Sequence, residues 1–446
     1  MMFQETQRFR EFAAPPAFVL DGSTEADVAK ALIESKQQTE PFYIFDMDEA
    51  YRHIQRFKQS IPRAQVFFAM KANHSEMMLK LAIAMGVGFD CASPGEINKI
   101  LNFGVDPTSI IYAVPNKTPE QMIYARISGV KHTTFNTACE LYKIKQYWPD
   151  AKLLIRIKVE SESVYKLGEK FGCLFETEAV GLLETAAGLG LTVIGVAFHV
   201  GSGCSSIESY AVGIRHARAL FDHEAKAGRH MKILDIGGGF YREESNKFDQ
   251  VSKLITDTLA QLFPDPSVQV IAEPGRYLCE AAFSLYCSIN KVQTVMRNNK
   301  PLNKVYMNDG HNGTFRYLET WQSVYKFNDT RRSKEDLEDT ILYGPSPDSK
   351  DYLEVKLPRC TDQDWLVFDM QGSYTLVFSG RFAGYEIPLI RPIISKKIWA
   401  QIKDRAIFSA SDFIVYPDLA EPLPSTLPPL PPYPGRSEYP HLVLAD

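Results

Sequence analysis

The sequence predicts an α/β fold in which a (β/α)8 barrel is joined to a second, all-β domain. Eight strand-like runs alternate with segments of helical spacing between residues 65 and 272. Such alternation builds right-handed βαβ units with parallel strands, and eight parallel strands are the number that closes a barrel. An open doubly wound sheet is the competing architecture. Polar residues recur at the same end of many strands, and this favours the barrel.

The elements can be placed from composition and periodicity. The strand-like runs are residues 65–70, 87–90, 109–114, 131–135, 152–157, 192–199, 232–236 and 268–272. The helical segments between them are residues 76–85, 96–103, 119–128, 139–148, 176–189, 207–227 and 248–262. Short β-rich runs follow at residues 283–289, 304–307, 365–368 and 375–378, and the apolar segment 41–45 is expected to pack with them.

These elements divide the 446 residues into four parts. We expect an N-terminal segment that packs with the β domain (1–45), a TIM-like barrel (46–275), a C-terminal β domain (276–416) and a proline-rich tail (417–446). The composition of the tail predicts an extended polyproline conformation. An inert tail packed on the surface is favoured over a ligand for an SH3-like partner.

Composition narrows the functional classes. A hydrophobic fraction of 45% and a charged fraction of 23% are ordinary for a globular enzyme. The net charge of −5 gives no reason to expect nucleic-acid or membrane partners. The seven cysteines form no CxxC pair, and the first residues lack the apolar core of a signal peptide. We therefore expect a cytoplasmic protein without a disulfide framework or a zinc site.

The strand ends carry polar residues that a closed barrel brings to one mouth. They are Lys71, Asp90, Asn116, Asn136, Arg156, His199, the turn Gly237-Gly238-Gly239 and Glu273. Lys71 follows a buried apolar strand, where the pKa of an amine tends to fall and the neutral amine can form a Schiff base. A lone lysine at such a place would more often only reach water. The polar residues at the other strand ends make a functional role for Lys71 the favoured interpretation.

Three turns of small residues at three strand ends indicate a phosphate site. They are Gly237-Gly238-Gly239, Gly201-Ser202-Gly203 and Gly275-Arg276. The triple glycine does not match GxGxxG, so a Rossmann dinucleotide site is not indicated. Together the three turns offer backbone N–H groups, a hydroxyl and a guanidinium to one anion.

Glu273 and His199 complete the predicted site. No set of residues with metal-ligand spacing accompanies Glu273, so no metal site is predicted. Its carboxylate could be a general base or could pair with a protonated ring nitrogen. His199 could be a general acid or base, or could stack on an aromatic ring. Lys71, a phosphate cradle, a stacking ring and a carboxylate together predict a site for pyridoxal 5'-phosphate, which serves as an electron sink.

Six ordered blocks of sequence resemble the eukaryotic-type ornithine decarboxylases, which are alanine-racemase-like enzymes of fold type III. The blocks are Phe-Phe-Ala-Met-Lys-Ala-Asn (67–73), Gly-Phe-Asp-Cys-Ala-Ser (88–93), Phe-His-Val-Gly-Ser-Gly (198–203), Leu-Asp-Ile-Gly-Gly-Gly-Phe (234–240), Ala-Glu-Pro-Gly-Arg-Tyr (272–277) and Asn-Asp-Gly (308–310). The resemblance extends over residues 40 to 400.

The resemblance implies a role for each matching residue. Lys71 would be the Schiff-base lysine, Glu273 would pair with the pyridine nitrogen and His199 would stack on the ring, and these three are the expected catalytic residues. Asp90 and Arg156 would support the cofactor and His199. The phosphate would be held by Ser202, Gly238, Gly239, Gly275, Arg276 and Tyr374.

The family also implies a homodimer with its sites at the subunit interface. Lys170 and Asp351 match a pair that the family uses across that interface. A Gly-Pro-[Ser/Thr]-Cys-Asp motif delivers a cysteine and an aspartate from the partner subunit, and here the segment 344–348 reads Gly-Pro-Ser-Pro-Asp. Asp348, which would meet the distal amine of the substrate, is kept. Pro347 replaces the cysteine that is implicated in protonating the carbanionic carbon after loss of CO2.

Other substrate-side positions depart from the family pattern. Glu319 stands for a second aspartate, and its extra methylene shifts the carboxylate by about 1 Å, enough to change which amine it meets. Asn312 stands for a tyrosine. Phe382 is also expected on the substrate side.

The sequence therefore predicts a pyridoxal-phosphate-dependent decarboxylase that removes the α-carboxylate of L-ornithine or a closely related cationic amino acid. One alternative is a decarboxylase for a bulkier or N-substituted ornithine-like amino acid of a specialised, alkaloid-type pathway, with altered protonation of the product carbon. A second alternative is a non-catalytic regulator. A racemase is disfavoured because no second base is evident opposite Lys71.

Overall fold

Eight parallel strands close into a barrel in the computed structural model, which describes residues 15–36, 38–240, 247–316, 324–328 and 337–415. The strands are β1 (Ala17–Leu20), β2 (Phe42–Asp46), β3 (Ala64–Ala69), β4 (Gly88–Cys91), β5 (Ile110–Tyr112), β6 (His132–Phe135), β7 (Lys152–Ile157), β8 (Ser163–Tyr165), β9 (Thr192–Phe198), β10 (Ser202–Cys204), β11 (Ile233–Asp235), β12 (Gln269–Ala272), β13 (Phe283–Arg297), β14 (Lys300–Met307), β15 (Val324–Lys326), β16 (Glu338–Tyr343), β17 (Tyr352–Leu357), β18 (Trp365–Phe368), β19 (Leu389–Ser395) and β20 (Phe413–Val415). The helices are α1 (Glu25–Glu34), α2 (Met47–Ser60), α3 (Glu76–Ala84), α4 (Pro94–Leu101), α5 (Pro119–Ile127), α6 (Ala138–Tyr147), α7 (Ala179–Gly188), α8 (Glu208–Lys226), α9 (Lys247–Leu262), α10 (Arg276–Cys279) and α11 (Lys396–Ile402).

The barrel strands follow the order β11-β12-β3-β4-β5-β6-β7-β9. Each of the eight predicted runs forms one of these strands, so the predicted barrel is confirmed and the open sheet is excluded. Several barrel helices begin at a hydroxyl N-cap. Ser93, Thr118 and Thr137 each accept a backbone N–H with their side-chain oxygen at the starts of α4, α5 and α6. Such caps satisfy donors that the first turn leaves unpaired.

The register of the barrel aligns the polar strand ends. Ala69 pairs with Asp90 between β3 and β4, and Ala197 of β9 pairs with both Arg156 of β7 and Asp235 of β11. Side chains alternate along a strand, so every second residue faces the interior. Below this level the interior is filled by Phe67, Ile111, Leu154, Ile233 and Ile271. The polar residues thus cap an apolar core at the carboxyl end of the barrel.

The second domain is a ten-stranded sheet whose main path is β17-β16-β14-β13-β2-β19-β1-β20; β18 pairs with β13, and β15 pairs with β18. β2, which precedes the barrel in sequence, pairs with β13 and β19. The domain is mostly sheet and not all-β, because α1 and α11 pack with it. No helix of the described residues is long and apolar enough to cross a membrane.

One predicted strand is wrong. Residues 375–378 do not extend the sheet, and Leu376–Phe378 form a 3-10 helix. Tyr374 has a φ of 58°, a left-handed conformation that a strand cannot contain. The turn brings Tyr374 against the barrel, where its backbone N–H donates to the carbonyl of Ala72 at 3.0 Å.

Candidate active site

Lys71 lies directly beyond β3, in a short 3-10 helix over residues Met70–Ala72. Its amine forms an ion pair with the carboxylate of Asp90 at the end of β4, and its side chain is 39% exposed. Burial works to lower the pKa of Lys71, but the charges of Asp90 and Glu273 outweigh it and raise the pKa above its ordinary value. The predicted fall in pKa is therefore wrong, because the sequence groups Asp90 and Glu273 with Lys71 but does not show that their charges outweigh the burial of the amine.

Arg156 and His199 stand on the neighbouring strands. The backbone N–H of Gly201 donates to His199 Nδ1 at 2.9 Å, so that nitrogen is an acceptor and the proton of the neutral ring lies on Nε2. Burial first, and then the charges of Arg156 and Lys71, lower the pKa of His199 well below its ordinary value. A neutral, oriented ring faces the mouth as a result.

Asp235 and Glu273 form a buried carboxyl pair at the ends of β11 and β12. They are 1% and 7% exposed. Burial raises the pKa of Asp235 to about 7, although its Oδ1 accepts the backbone N–H of Gly237 at 2.8 Å. Burial, followed by the charges of Asp235 and Asp90, raises the pKa of Glu273 well above its ordinary value. Burial and the proximity of the two groups therefore favour the protonated over the ionised form in this pair.

The turn Gly237-Gly238-Gly239 packs closely on the ends of β9 and β12. A Cβ atom at Gly238 would lie 2.5 Å from the carbonyl oxygen of Glu273 and 3.0 Å from His199 Nε2. Gly237 and Gly239 have φ angles of 64° and 97°, which disfavour a side chain. The turn thus brings bare backbone to the mouth, as a close anion contact requires.

Arg276 connects the remaining predicted phosphate ligands. Its guanidinium donates to Ser202 Oγ at 3.5 Å and to Ser373 Oγ at 2.9 Å, and it lies 5.1 Å from the ring centre of Tyr374. Gly275 lets the chain pass close to β3, since a Cβ there would lie 3.0 Å from Ala72 Cβ. A cation, hydroxyls and backbone donors are therefore grouped at one side of the mouth.

Several predicted residues lie outside this cluster. Asn116 accepts from Lys143 of α6 at 3.2 Å and is exposed. Lys170 is exposed, and its amine lies 5.1 Å from the ring centre of Phe171, whose ring is also 5.5 Å from the guanidinium of Arg156. Lys170 thus stands beside the mouth.

Asp348 and Phe382 belong to the second domain. Asp348 accepts from Asn312 Nδ2 at 3.0 Å and from the backbone N–H of Lys350 at 2.9 Å. Phe382 is 51% exposed. Asp351 is buried, and it accepts the backbone N–H groups of His311 and Ser346 at 2.6 and 3.1 Å.

We call this second group the substrate-side loops, which are residues 309–313, 344–351 and 379–386. Asn312, Gly313, Pro345, Ser346, Gly380 and Phe382 line one small cavity between them. Glu319 lies outside the described residues, as does the proline-rich tail at 417–446.

Asp235 is the site residue that the sequence interpretation missed. Alternation along β11 was the available signal, because Ile233 and Asp235 face the same side and Ile233 fills the barrel interior. The block Leu-Asp-Ile-Gly-Gly-Gly drew attention to its glycines instead. The sequence interpretation also missed that the segment 371–374 packs beside Lys71. Asn73 Nδ2 donates to the carbonyl of Gly372 at 2.8 Å and holds this segment against the residues after Lys71.

The residues at the mouth fit pyridoxal phosphate. Glu273 Oε1 and Asp90 Oδ1 are buried and accept no hydrogen bond from the described part of the chain. Such orphaned carboxylate oxygens are costly unless a cationic donor meets them. A ring nitrogen that carries a proton would be a suitable donor to Glu273. A phosphate could be held by the bare backbone at Gly238, where a Cβ would fill the space, and by the Arg276 guanidinium.

Comparisons with known proteins agree with this chemistry. Residues 47–280 match the family model for the pyridoxal-binding domain of pyridoxal-dependent decarboxylases. Ornithine decarboxylase of Rattus norvegicus is 35% identical over 404 residues, covering 86% of this chain and 87% of the relative. Antizyme inhibitor 2 of Xenopus laevis is also 35% identical over 404 residues, covering 86% and 88%. The crystal structure of the Paramecium bursaria Chlorella virus arginine decarboxylase superposes with a TM-score of 0.76 at 31% identity, covering 83% and 100%.

The barrel, the adjoining sheet and the strand-end lysine define a pyridoxal-phosphate-dependent enzyme of the alanine-racemase-like fold. The chain belongs to the pyridoxal-dependent decarboxylase family, and it resembles the ornithine decarboxylases within it. Its reaction is decarboxylation of an amino acid and its cofactor is pyridoxal 5'-phosphate.

Proposed function

We propose that the protein decarboxylates a basic amino acid, with L-ornithine as the first candidate. The carrying observation is the charge arrangement at the barrel mouth, where Lys71 pairs with Asp90 while one oxygen of Glu273 stays buried and unpaired. Relatives that are named ornithine and arginine decarboxylases support a cationic substrate.

The cofactor would be held by the mouth. Lys71 would bind its aldehyde carbon, Glu273 its ring nitrogen and His199 the face of its ring. The phosphate would be bound by Ser202, Gly238, Gly239, Gly275, Arg276 and Tyr374. When bound, pyridoxal phosphate supplies a sink for the electron pair that the departing CO2 leaves behind.

The protein groups control protons around this sink. Asp90 accepts a hydrogen bond from the Lys71 amine, so the amine and its nearest base are already in contact. Burial raises the pKa values of Asp235 and Glu273, and the unpartnered Glu273 Oε1 would face the ring nitrogen. His199 stays neutral and presents Nε2–H to the mouth. Arg156 balances the buried carboxylates.

Substrate selection would come from the substrate-side loops of a partner subunit in a cytoplasmic homodimer. Asp348, with Glu319, would meet the distal ammonium, and Phe382 would flank the side chain. Lys170 is exposed beside the mouth and Asp351 anchors the loop that carries Asp348, which supports an interface where these two regions meet.

A second candidate is a bulkier or N-substituted ornithine-like substrate. Asn312 contacts Asp348 directly, and Pro347 is next to Asp348 in the chain. Both positions depart from the ornithine decarboxylase pattern. Pro347 also removes the thiol implicated in protonating the product carbon, so an aldehyde product belongs to this candidate. A non-catalytic regulator is the third candidate, suggested by the similarity to antizyme inhibitor 2, and the intact mouth argues against it.

The test is CO2 release from L-ornithine, L-lysine, L-arginine, diaminopimelate and N-alkylated ornithines, with mass spectrometry of each product. We expect release from at least one cationic amino acid. Purified protein that binds pyridoxal phosphate but acts on none of these would overturn the proposal. Protein that does not bind the cofactor would favour the regulator.

A further inference from the structure

Glu280 is a buried carboxylate behind Arg276, one of the predicted phosphate ligands. Its side chain is 4% exposed, and its Oε1 forms an ion pair with Nη1 of Arg276, four residues earlier in the chain. The same oxygen accepts a hydrogen bond from the hydroxyl of Ser373 at 3.1 Å. Glu280 therefore links Arg276 to the segment 371–374 of the second domain.

The guanidinium of Arg276 is held on one side and directed into the mouth on the other. Nη1 donates to Glu280 and to Ser373 Oγ, the latter at 2.9 Å. Nε faces Ser202 Oγ at 3.5 Å, and Ser202 is another predicted phosphate ligand. Burial works to lower the pKa of Arg276, but the charge of Glu280 and its hydrogen bond outweigh this effect and raise the pKa above its ordinary value. Arg276 is therefore charged and oriented before an anion binds.

The backbone keeps this ion pair in place. The N–H of Gly372 donates to the carbonyl of Glu280 at 3.0 Å. A Cβ at Gly372 would overlap the carbonyl oxygen of Cys279, so the two segments come this close only because residue 372 is glycine. Ser373 between them is 4% exposed. Close packing of the two segments therefore holds Glu280 beside Arg276.

An arginine that is already paired brings little net charge to a phosphate. Arg276 and Glu280 together are neutral, whereas a phosphate monoester carries about −1.5 to −2 charges at pH 7. Other predicted phosphate ligands, among them Ser202, Gly238 and Gly239, offer neutral hydroxyl and N–H donors. Charges interact more strongly in a buried site than in water. Glu280 therefore repels the anion that Arg276 attracts.

We propose that Glu280 is a positioning residue that orients Arg276 and offsets its charge, so that the protein binds the phosphate of its cofactor with reduced affinity. The inference rests on the proposed function, which places the phosphate at Arg276. It assigns most of the phosphate binding to the neutral donors of the mouth and makes Arg276 a fixed hydrogen-bond donor. A cofactor held in this way exchanges more readily than one that meets an unpaired arginine.

The test uses pyridoxal phosphate and pyridoxal, which differ only in the phosphate group. Cofactor-free protein is titrated with each, and the ratio of the Kd for pyridoxal to the Kd for pyridoxal phosphate measures the contribution of the phosphate. Glu280→Gln keeps the size of the side chain and an oxygen acceptor for Arg276 but loses the charge. We expect this variant to raise the ratio about 10-fold, with the Kd for pyridoxal within about three-fold of wild type. A damaged fold would weaken binding and could not produce this gain.

Glu280→Ala separates orientation from charge. It removes the charge and the acceptor together, so Arg276 also loses a hydrogen bond that fixes its direction. We expect its ratio to lie between that of wild type and that of Glu280→Gln. A ratio at or above that of Glu280→Gln would overturn the orienting role, and a ratio at or below that of wild type would overturn the charge offset.

Asp222→Asn is the matched control. Asp222 forms an exposed ion pair with Arg218 at the same spacing of four residues, in α8 on the outside of the barrel. This variant should keep the wild-type ratio. Arg276→Ala tests the phosphate placement itself, and it should lower the ratio at least about 10-fold because hydrogen bonds to a charged group are lost.

The two variants of the ion pair distinguish the possible failures. A wild-type ratio in Glu280→Gln beside a lowered ratio in Arg276→Ala would overturn the role of Glu280 and leave the proposed function standing. A wild-type ratio in Arg276→Ala would overturn the phosphate placement and the role of Glu280 together. Release of CO2 from basic amino acids is measured separately and decides the proposed reaction.

Discussion

The barrel mouth and the substrate-side loops use carboxylates in opposite ways. At the mouth, burial raises the pKa values of Asp235 and Glu273, and the charge of Arg156 opposes this effect at both groups. In the loops, hydrogen bonds hold the pKa of the accessible Asp348 below its ordinary value. Burial at the mouth therefore favours the protonated carboxyl group, whereas hydrogen bonds in the loops favour the carboxylate.

The two regions also differ in how they are held in place. Residues at the mouth stand on neighbouring strands whose register fixes their relative height. The loops are anchored by buried carboxylates, among them Asp351, to which the backbone N–H groups of His311 and Ser346 donate. A change of loop sequence can therefore alter substrate choice without disturbing the strand ends. The departures at Asn312 and Pro347 lie where such a change leaves the mouth intact.

Replacing Lys71 should have the largest effect. Lys71→Ala removes the amine that binds the cofactor, and we expect decarboxylation to fall at least about 1,000-fold. Lys71→Arg is the informative companion, because it keeps a positive charge beside Asp90 and protects the fold. Activity of both variants is measured by CO2 release. Substantial activity in Lys71→Arg would show that charge, and not a nucleophilic amine, is what the mouth requires.

The next effect is expected at the glycine turn. The Cβ of Gly238→Ala would overlap the carbonyl of Glu273, and relieving such overpacking costs about 1–3 kcal/mol. We expect cofactor binding to weaken about 10- to 100-fold, measured by titration with pyridoxal phosphate. Gly181→Ala is the control, since nothing lies within 4 Å of a Cβ there and the residue is in α7. Equal affinity in the two variants would contradict the close contact.

A matched change in the loops should separate the two regions. In Gly344→Ala the new methyl group would overlap the carboxylate of Asp351, which anchors the loop of Asp348. We expect KM for the amino acid to rise about 10-fold while cofactor affinity stays at the wild-type value. Steady-state kinetics and cofactor titration measure the two quantities. Loss of cofactor from this variant would show that the regions are not independent.

The contrast also explains which features the sequence could reveal. The strands and the polar residues around Lys71 were predictable, because each apolar run ends at a polar residue and a closed barrel places these ends at one mouth. The raised pKa of Lys71 was not, because the sequence places Asp90 and Glu273 near the amine but does not give the distances that decide between burial and charge. The turn at Tyr374 was missed for a similar reason. Its left-handed backbone is set by contact with Ala72, which lies about 300 residues earlier in the chain.

The pair of Asp235 and Glu273 makes the smallest of the predicted effects. Because the pKa of Asp235 is raised from 3.8 to about 7, the folded cofactor-free protein binds more protons than the unfolded chain between these values. Its stability contribution is therefore present at low pH and is lost as the pH rises toward 7. Asp235→Asn should flatten this dependence by at most about 1.4 kcal/mol per pH unit.

Urea unfolding of the cofactor-free protein at pH 5 and pH 7.5 measures this difference. Asp106→Asn serves as the control, because hydrogen bonds from Thr108 hold the pKa of that exposed carboxyl below its ordinary value and its titration lies below the tested range. Parallel stability profiles for wild type and Asp235→Asn would mean that Glu273 alone retains the proton. Glu273 would then be the carboxyl group responsible for the pH dependence. Asp235 would only position the glycine turn, through the hydrogen bond that it accepts from Gly237.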